Sequence, residues 1–156
     1  MAKSPALSFL AFTTSLQPVR RVWIQAVTLV AANFDVPVPI SSAVIMVTRA
    51  GEDGIRQGTL AEEVGVNHGA MVRIVDQAEA AGYLERRGYG QDRRIRIIHA
   101  TDKGRELGAR LEEEFVRLRK SLLADIPLEE IETATRVLRL FEKRITGFLQ
   151  SGEAER

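Results

Sequence analysis

Cysteine is absent from the 156 residues. Disulfides, thiol redox sensing, cysteine nucleophiles and cysteine–zinc sites are therefore excluded. No apolar run approaches the ~20 residues that span a bilayer. The N-terminus also lacks the charged-then-apolar pattern of a signal peptide, so the expected location is the cytoplasm. Net charge is nearly absent, at +1, which rules out a uniformly basic coat for a polyanion. Histidine is scarce as well: His68 and His99 are the two in the chain. No nucleophile motif such as G-x-S-x-G occurs. The expectation is a protein that is not an enzyme and uses no metal or cofactor. Internal repeats and low-complexity segments are missing too.

What is present is one domain's worth of chain with 45% apolar residues, enough for a sizeable core. The stretch Thr59–Thr101 is the most informative. Its pattern predicts helix, tight turn, helix, strand, arginine-rich hairpin, strand. That order is a winged helix-turn-helix, which holds a helix in a DNA major groove. Thr59 and Glu62 have the spacing of a capping box. Leu60, Ala61 and Val64 give the first helix an apolar side. Gly65 suits the turn, and Asn67 is a good N-cap for the second helix. Met71, Ile74, Val75 and Ala78 fall at helical spacing and predict its buried face. His68, Gly69, Ala70, Val72, Arg73, Asp76 and Gln77 are left pointing out. Gly82 is placed to end the helix. Apolar strands follow around Leu84 and around Ile95, Ile97 and Ile98, joined by the turn-forming Gly88–Asp92.

Charge gives this module a partner. Arg86, Arg87, Arg93, Arg94 and Arg96 crowd the hairpin, opposed only by Glu85 and Asp92. So much guanidinium at a hairpin tip repels itself unless phosphates neutralise it, and Arg suits a narrow minor groove. Acidic runs elsewhere, Glu112–Glu114 and Glu129–Glu130, balance the total. That asymmetry favours site-directed over indiscriminate binding.

The flanks read as helices. A helical pattern runs from Leu7 to about Asn33, with Leu10, Ala11, Val19, Val22, Trp23, Ala26, Leu29 and Val30 as candidate buried positions. Pro18 is expected to break or kink it. Val36–Pro39 reads as extended, with Ser41 or Ser42 capping the next helix. Thr101 is the expected N-cap of a long helix with a stripe at Leu107, Leu111, Phe115, Leu118 and Leu122. Pro127 marks the next break. Ile131, Leu138, Phe141, Ile145 and Phe148 make a further stripe. The expected class is mainly α with a small β-hairpin wing, one domain over residues 1–156. Residues 41–101 form the winged module, and residues 7–35 and 105–150 form dimerisation helices. A reader of palindromic DNA needs such a two-fold interface.

The segments VNHGAMVRIVDQAEAAGYLERR and GQDRRIRIIHATDKG resemble the MarR family (multiple-antibiotic-resistance regulators). The matching positions are Glu79 and Gly82, the wing signature Asp92-Arg93-Arg94, and the helix start Thr101 with Gly104. Ala78 stands where the family usually has a large aliphatic residue. The resemblance implies a homodimeric regulator, usually a repressor, often released by small aromatic or phenolic acids. It implies that Arg94 enters the minor groove, oriented by Asp92. Asn67, His68, Gly69, Ala70, Val72 and Arg73 are the candidate contacts in the major groove or to phosphate. Arg86, Arg87, Gln91 and Arg93 are candidate backbone contacts. Arg20 and Trp23, one turn apart, could hold a carboxylate ligand against a flat ring; the plainer reading is a core Trp and a surface Arg. The competing function is a winged-helix module that binds protein and not DNA.

Overall fold

The computed structural model describes residues 4–89 and 92–151, apart from the side chains of 89 and 92–95. Helix α1 spans Pro5–Ala32, α2 Val38–Arg49, α3 Gln57–Val64, α4 His68–Ala80, α5 Asp102–Leu123 and α6 Leu128–Gln150. A single 3-10 turn, Gly51–Asp53, precedes strand β1 (Ile55–Arg56); β2 covers Leu84–Tyr89 and β3 Asp92–Ala100. The sheet is antiparallel with β3 in the middle. The chain divides into two compact units, Met1–Arg117 and Leu118–Arg156.

The first unit contains the core. Val44, Val47, Leu60, Met71, Val75, Leu84, Ile98 and Leu111 are fully enclosed. Helices α2, α3 and α4 pack on one another, and β3 lies against α2 and α3. Ile98 sits between Ile55 on β1 and Arg86 on β2, which puts the central strand's apolar residue under the helices. Residues Met71, Ile74, Val75 and Ala78 of α4 are all buried, as their spacing predicts.

Local chemistry sets most boundaries. Gly65 (φ 75°) and Gly82 (φ 76°) take the left-handed region that ends α3 and α4. At each, the next residue's N–H returns to the helix: Val66 to the Ala61 carbonyl (3.0 Å) and Tyr83 to the Ala78 carbonyl (2.9 Å). The start of α5 is tied to that second corner. The Thr101 hydroxyl donates to the Gly82 carbonyl (2.6 Å) and accepts from the Gly104 N–H (3.0 Å). Arg49 on α2 binds Glu112 on α5, both carboxylate oxygens at 2.7 Å.

Several expectations change. The helix α3 starts at Gln57, with Arg56 at its N-cap, so Thr59 lies inside it and the capping box does not form the helix start. Pairing of Ile55 and Arg56 with Ile98 and Ile97 fixes the chain earlier than local signals suggest. The helix α2 starts at Val38, and Ser41 is buried within it, its hydroxyl donating to the Pro37 carbonyl at 3.3 Å. Pro39 sits in the first turn, where a missing N–H costs nothing. Pro18 does not divide α1, which runs unbroken for 28 residues. Pro18 is exposed, so water can reach the carbonyl it leaves without a donor.

The stripes on the terminal helices are the largest departure. Leu107, Leu111 and Phe115 are buried as expected, but Leu122 is exposed. On α1, Leu10, Val19, Val22 and Leu29 are exposed, whereas Ala31 is buried. On α6 no described residue is buried. These helices have apolar faces that their own unit does not cover. No helix of the described residues is long and apolar enough to cross a membrane.

Candidate nucleic-acid interface

The candidate reading element is α4. The Asn67 side chain accepts from the Ala70 N–H at 2.8 Å, which caps the helix as its residue type predicts. The His68 and Gly69 N–H groups of the first turn remain near the positive end of the helix dipole, a natural seat for phosphate oxygen. Asn67, His68, Gly69, Arg73, Asp76 and Gln77 are exposed, whereas Ala70 and Val72 are half-buried. The outward face is thus narrower than the sequence implies. Gly69 is open space: a Cβ there would meet nothing closer than the Asn67 Oδ1 at 3.6 Å.

The hairpin carries the second set. Strand β2 pairs with β3 from Leu84–Ala100 out to Tyr89–Asp92, with a register shift between Gly88 and Tyr89. Arg87 is exposed and paired with Glu85 on its own strand, 2.5 Å apart. Arg96 is exposed on β3. Gln91 lies outside the described residues. Asp92, Arg93 and Arg94 have their backbone in β3, but their side chains are outside the description.

Arg86 is not where the sequence reading put it. Its side chain is 12% exposed and points into the module. It binds Asp76 at 2.7 Å and forms a close ion pair with Glu79, both on α4. It donates to the Gln57 Oε1 on α3 and to the Val72 carbonyl, each at 3.3 Å. Its backbone N–H meets Glu79 again at 2.7 Å. Four of the five guanidinium N–H groups are taken and the side chain is nearly enclosed, so Arg86 has little left to offer a phosphate. Gln57, Asp76 and Glu79 were absent from the set of candidate site residues; the sequence signal for them is an acidic pair three apart on α4, which needs a cation from elsewhere.

Among the cavities that flank the module are two lined by described residues. One, of about 500 Å³, is lined by Thr48, Gly51, Glu52, Arg87, His99, Ala100 and Arg105. The other, of about 390 Å³, is lined by Asn33, Phe34, Asp35, Tyr83, Lys103, Glu106, Leu107 and Arg110. In it Lys103 lies over the Tyr83 ring and Arg110 over the Phe34 ring. Neither cavity is lined by Arg20 or Trp23. Both residues are exposed on α1, so Trp23, at 37%, is not a core residue of the chain. Among the described residues no group of carboxylates and histidines could hold a metal ion.

Residues 34–95 match the model of the MarR family. An uncharacterised HTH-type transcriptional regulator of Bacillus subtilis (strain 168), YdgJ, is 35% identical over 78 residues. That match covers 50% of this chain and 48% of YdgJ, so the chain spans about half the length of that relative. MepR of S. aureus, solved as a complex with DNA, superposes with a TM-score of 0.75 at 16% identity, over 86% of this chain and 97% of that one. CouR of Rhodococcus jostii RHA1, solved with p-coumaroyl-CoA, gives 0.72 at 24% identity, over 89% of this chain and 93% of that one. At these identities the structural likeness establishes the fold.

Proposed function

We propose that this chain is a MarR-type homodimeric regulator of transcription that binds a short pseudo-palindromic DNA site, since residues 34–95 match that family's model and YdgJ is 35% identical over 78 residues. It acts in the cytoplasm, without enzymatic activity, and represses by occluding a promoter. The observation that carries this reading is the division of α4. One face is locked into the core by Met71, Ile74, Val75 and Ala78, and the other offers Asn67, His68, Gly69 and Arg73 to solvent beside an arginine-rich hairpin. A rigidly held helix with an open polar face is what base reading in a major groove requires. Val72, half-buried, and Ala70 supply apolar contact to a thymine methyl. Arg94, oriented by Asp92, enters the minor groove, while Arg87, Gln91 and Arg93 meet the backbone.

The dimer follows from the uncovered faces. Leu29 (74% exposed) on α1 and Leu149 (64% exposed) on α6 are too apolar and too open for a finished surface. A second copy of the chain covers them and gives the two-fold axis that a palindrome matches. A small aromatic or phenolic acid then releases DNA by favouring a dimer whose modules no longer match successive grooves. CouR, solved with the phenolic thioester p-coumaroyl-CoA, supports an aromatic ligand. Arg20 and Trp23 on α1 are one candidate seat, a guanidinium for the carboxylate beside a ring for stacking.

Fluorescence anisotropy tests the reading. DNA from upstream of the chain's own gene is compared with a scrambled duplex over a salt series. Preference for the native duplex, with affinity falling steeply as salt rises, is the expected result. No binding to either duplex at low salt would overturn it in favour of a protein-interaction module.

A further inference from the structure

Among the described residues Arg86 is the most heavily engaged side chain of the winged module, and its partners come from two other elements. From β2 it reaches Gln57 on α3 and Val72, Asp76 and Glu79 on α4. We propose that Arg86 is a positioning residue for DNA recognition: it braces α4 against the wing and holds Asp76 away from phosphate, without touching DNA itself. This rests on the DNA-binding reading and assigns a role within the same interface.

The geometry carries the proposal. Apolar packing holds the buried face of α4, but it fixes the helix's rotation less sharply than directional donors do. The guanidinium fork is directional: its planar donors fix both carboxylates and one main-chain carbonyl of α4 at once. Those partners, Val72, Asp76 and Glu79, lie on successive turns of the helix, so the fork sets its rotation and its tilt. The Arg86 backbone N–H, also on Glu79, ties the same helix to the strand itself. The second effect is electrostatic. Asp76 is 57% exposed on the helix, near the outward face. Unpaired, it would repel the DNA backbone; paired at 2.7 Å to Arg86, a cation it shares with Glu79, its charge is partly offset and it is turned toward β2. A lysine cannot substitute. It keeps the charge, but a single ammonium does not span Gln57, Val72 and two carboxylates.

The lysine separates this role from a phosphate contact. Arg86→Lys and Arg86→Gln are compared with the wild-type chain in two arms. In the first, without DNA, hydrogen–deuterium exchange is followed peptide by peptide. Both variants should exchange several-fold faster over residues 68–80, with residues 102–117 unchanged; protection of 68–80 equal to wild type overturns the brace. In the second, anisotropy is read on native and scrambled duplexes over a salt series. Arg86→Lys should lose discrimination by about tenfold, the order of one mismatched base pair, and neither variant should change the log–log salt slope. Wild-type discrimination in Arg86→Lys together with a slope shallower by about 0.9 in Arg86→Gln makes Arg86 a phosphate contact and overturns the proposal. If the wild-type chain itself binds neither duplex, the regulator reading fails and the role in recognition with it, while the exchange arm still decides whether Arg86 braces α4.

Discussion

A Cβ at Gly104 would stand 1.9 Å from the Tyr83 carbonyl oxygen. That oxygen is backbone, and it accepts the Thr101 N–H at 3.1 Å, so it cannot yield without losing the corner that joins α4, β2 and α5. Gly104→Ala should therefore destabilise the chain by about 1–3 kcal/mol, as overpacking does, seen as a lower midpoint in urea. Gly58→Ala is the control: nothing lies within 4 Å of its would-be Cβ, and removing a helical glycine there should be neutral or stabilise by up to about 1 kcal/mol. Equal effects of the two would show that the close approach does not constrain the fold. Asn67 separates stability from recognition in the same way. Asn67→Ala removes the cap and should cost about 1 kcal/mol. Asn67→Asp keeps an acceptor for the Ala70 N–H, so its melting should stay near wild type while its DNA affinity falls, since a carboxylate then faces phosphate. Undiminished affinity in Asn67→Asp would place the N-terminus of α4 away from DNA.

At the scale of elements, the wing and α4 make different contributions, and salt tells them apart. Arg94→Ala should weaken binding to the native duplex, most where its minor groove is narrow, and make the salt slope shallower by about 0.9 as one cation is lost, with the oligomeric state intact. Unchanged affinity would remove Arg94 from the minor groove. These elements also show how far sequence reaches. The cap, the buried face and the closing Gly82 of α4 were all legible, because each signal lies within the helix or at most two residues from it. The start of α3 was not. Thr59 and Glu62 have capping-box spacing, but β1 pairs with β3 some forty residues on and begins the helix at Gln57. The inward turn of Arg86 was not legible for the same reason. Its charge was visible, but its partners on α3 and α4 are set by the fold, and a run of arginines does not show which of them turns inward. Pro18 was expected to break or kink α1; the helix is not broken, since an exposed helix tolerates the lost hydrogen bond.

The whole molecule raises the question of what covers the terminal helices. Their stripes have helical spacing, yet Leu10 and Leu29 on α1 and Leu138, Ile145 and Phe148 on α6 stay exposed. Amphipathic faces left open on both the first and the last helix fit one occupant best, a second copy that meets the same faces. If so, a charge placed on the stripe should cost association and leave the winged module alone, because the core residues Val44, Leu60, Met71 and Ile98 lie elsewhere. Leu138→Glu with Phe148→Glu should sediment as a monomer at concentrations where the wild-type chain is a dimer. Far-ultraviolet circular dichroism should remain helical. Binding to the full operator should then fall to the level of an isolated half-site, because linkage raises apparent affinity by about 10²–10⁴-fold when both modules can engage together. Binding to a half-site duplex should be unchanged. A variant that stays dimeric would place the interface on other surfaces. A monomer that binds the full operator as tightly as wild type would show that recognition does not need the two-fold axis.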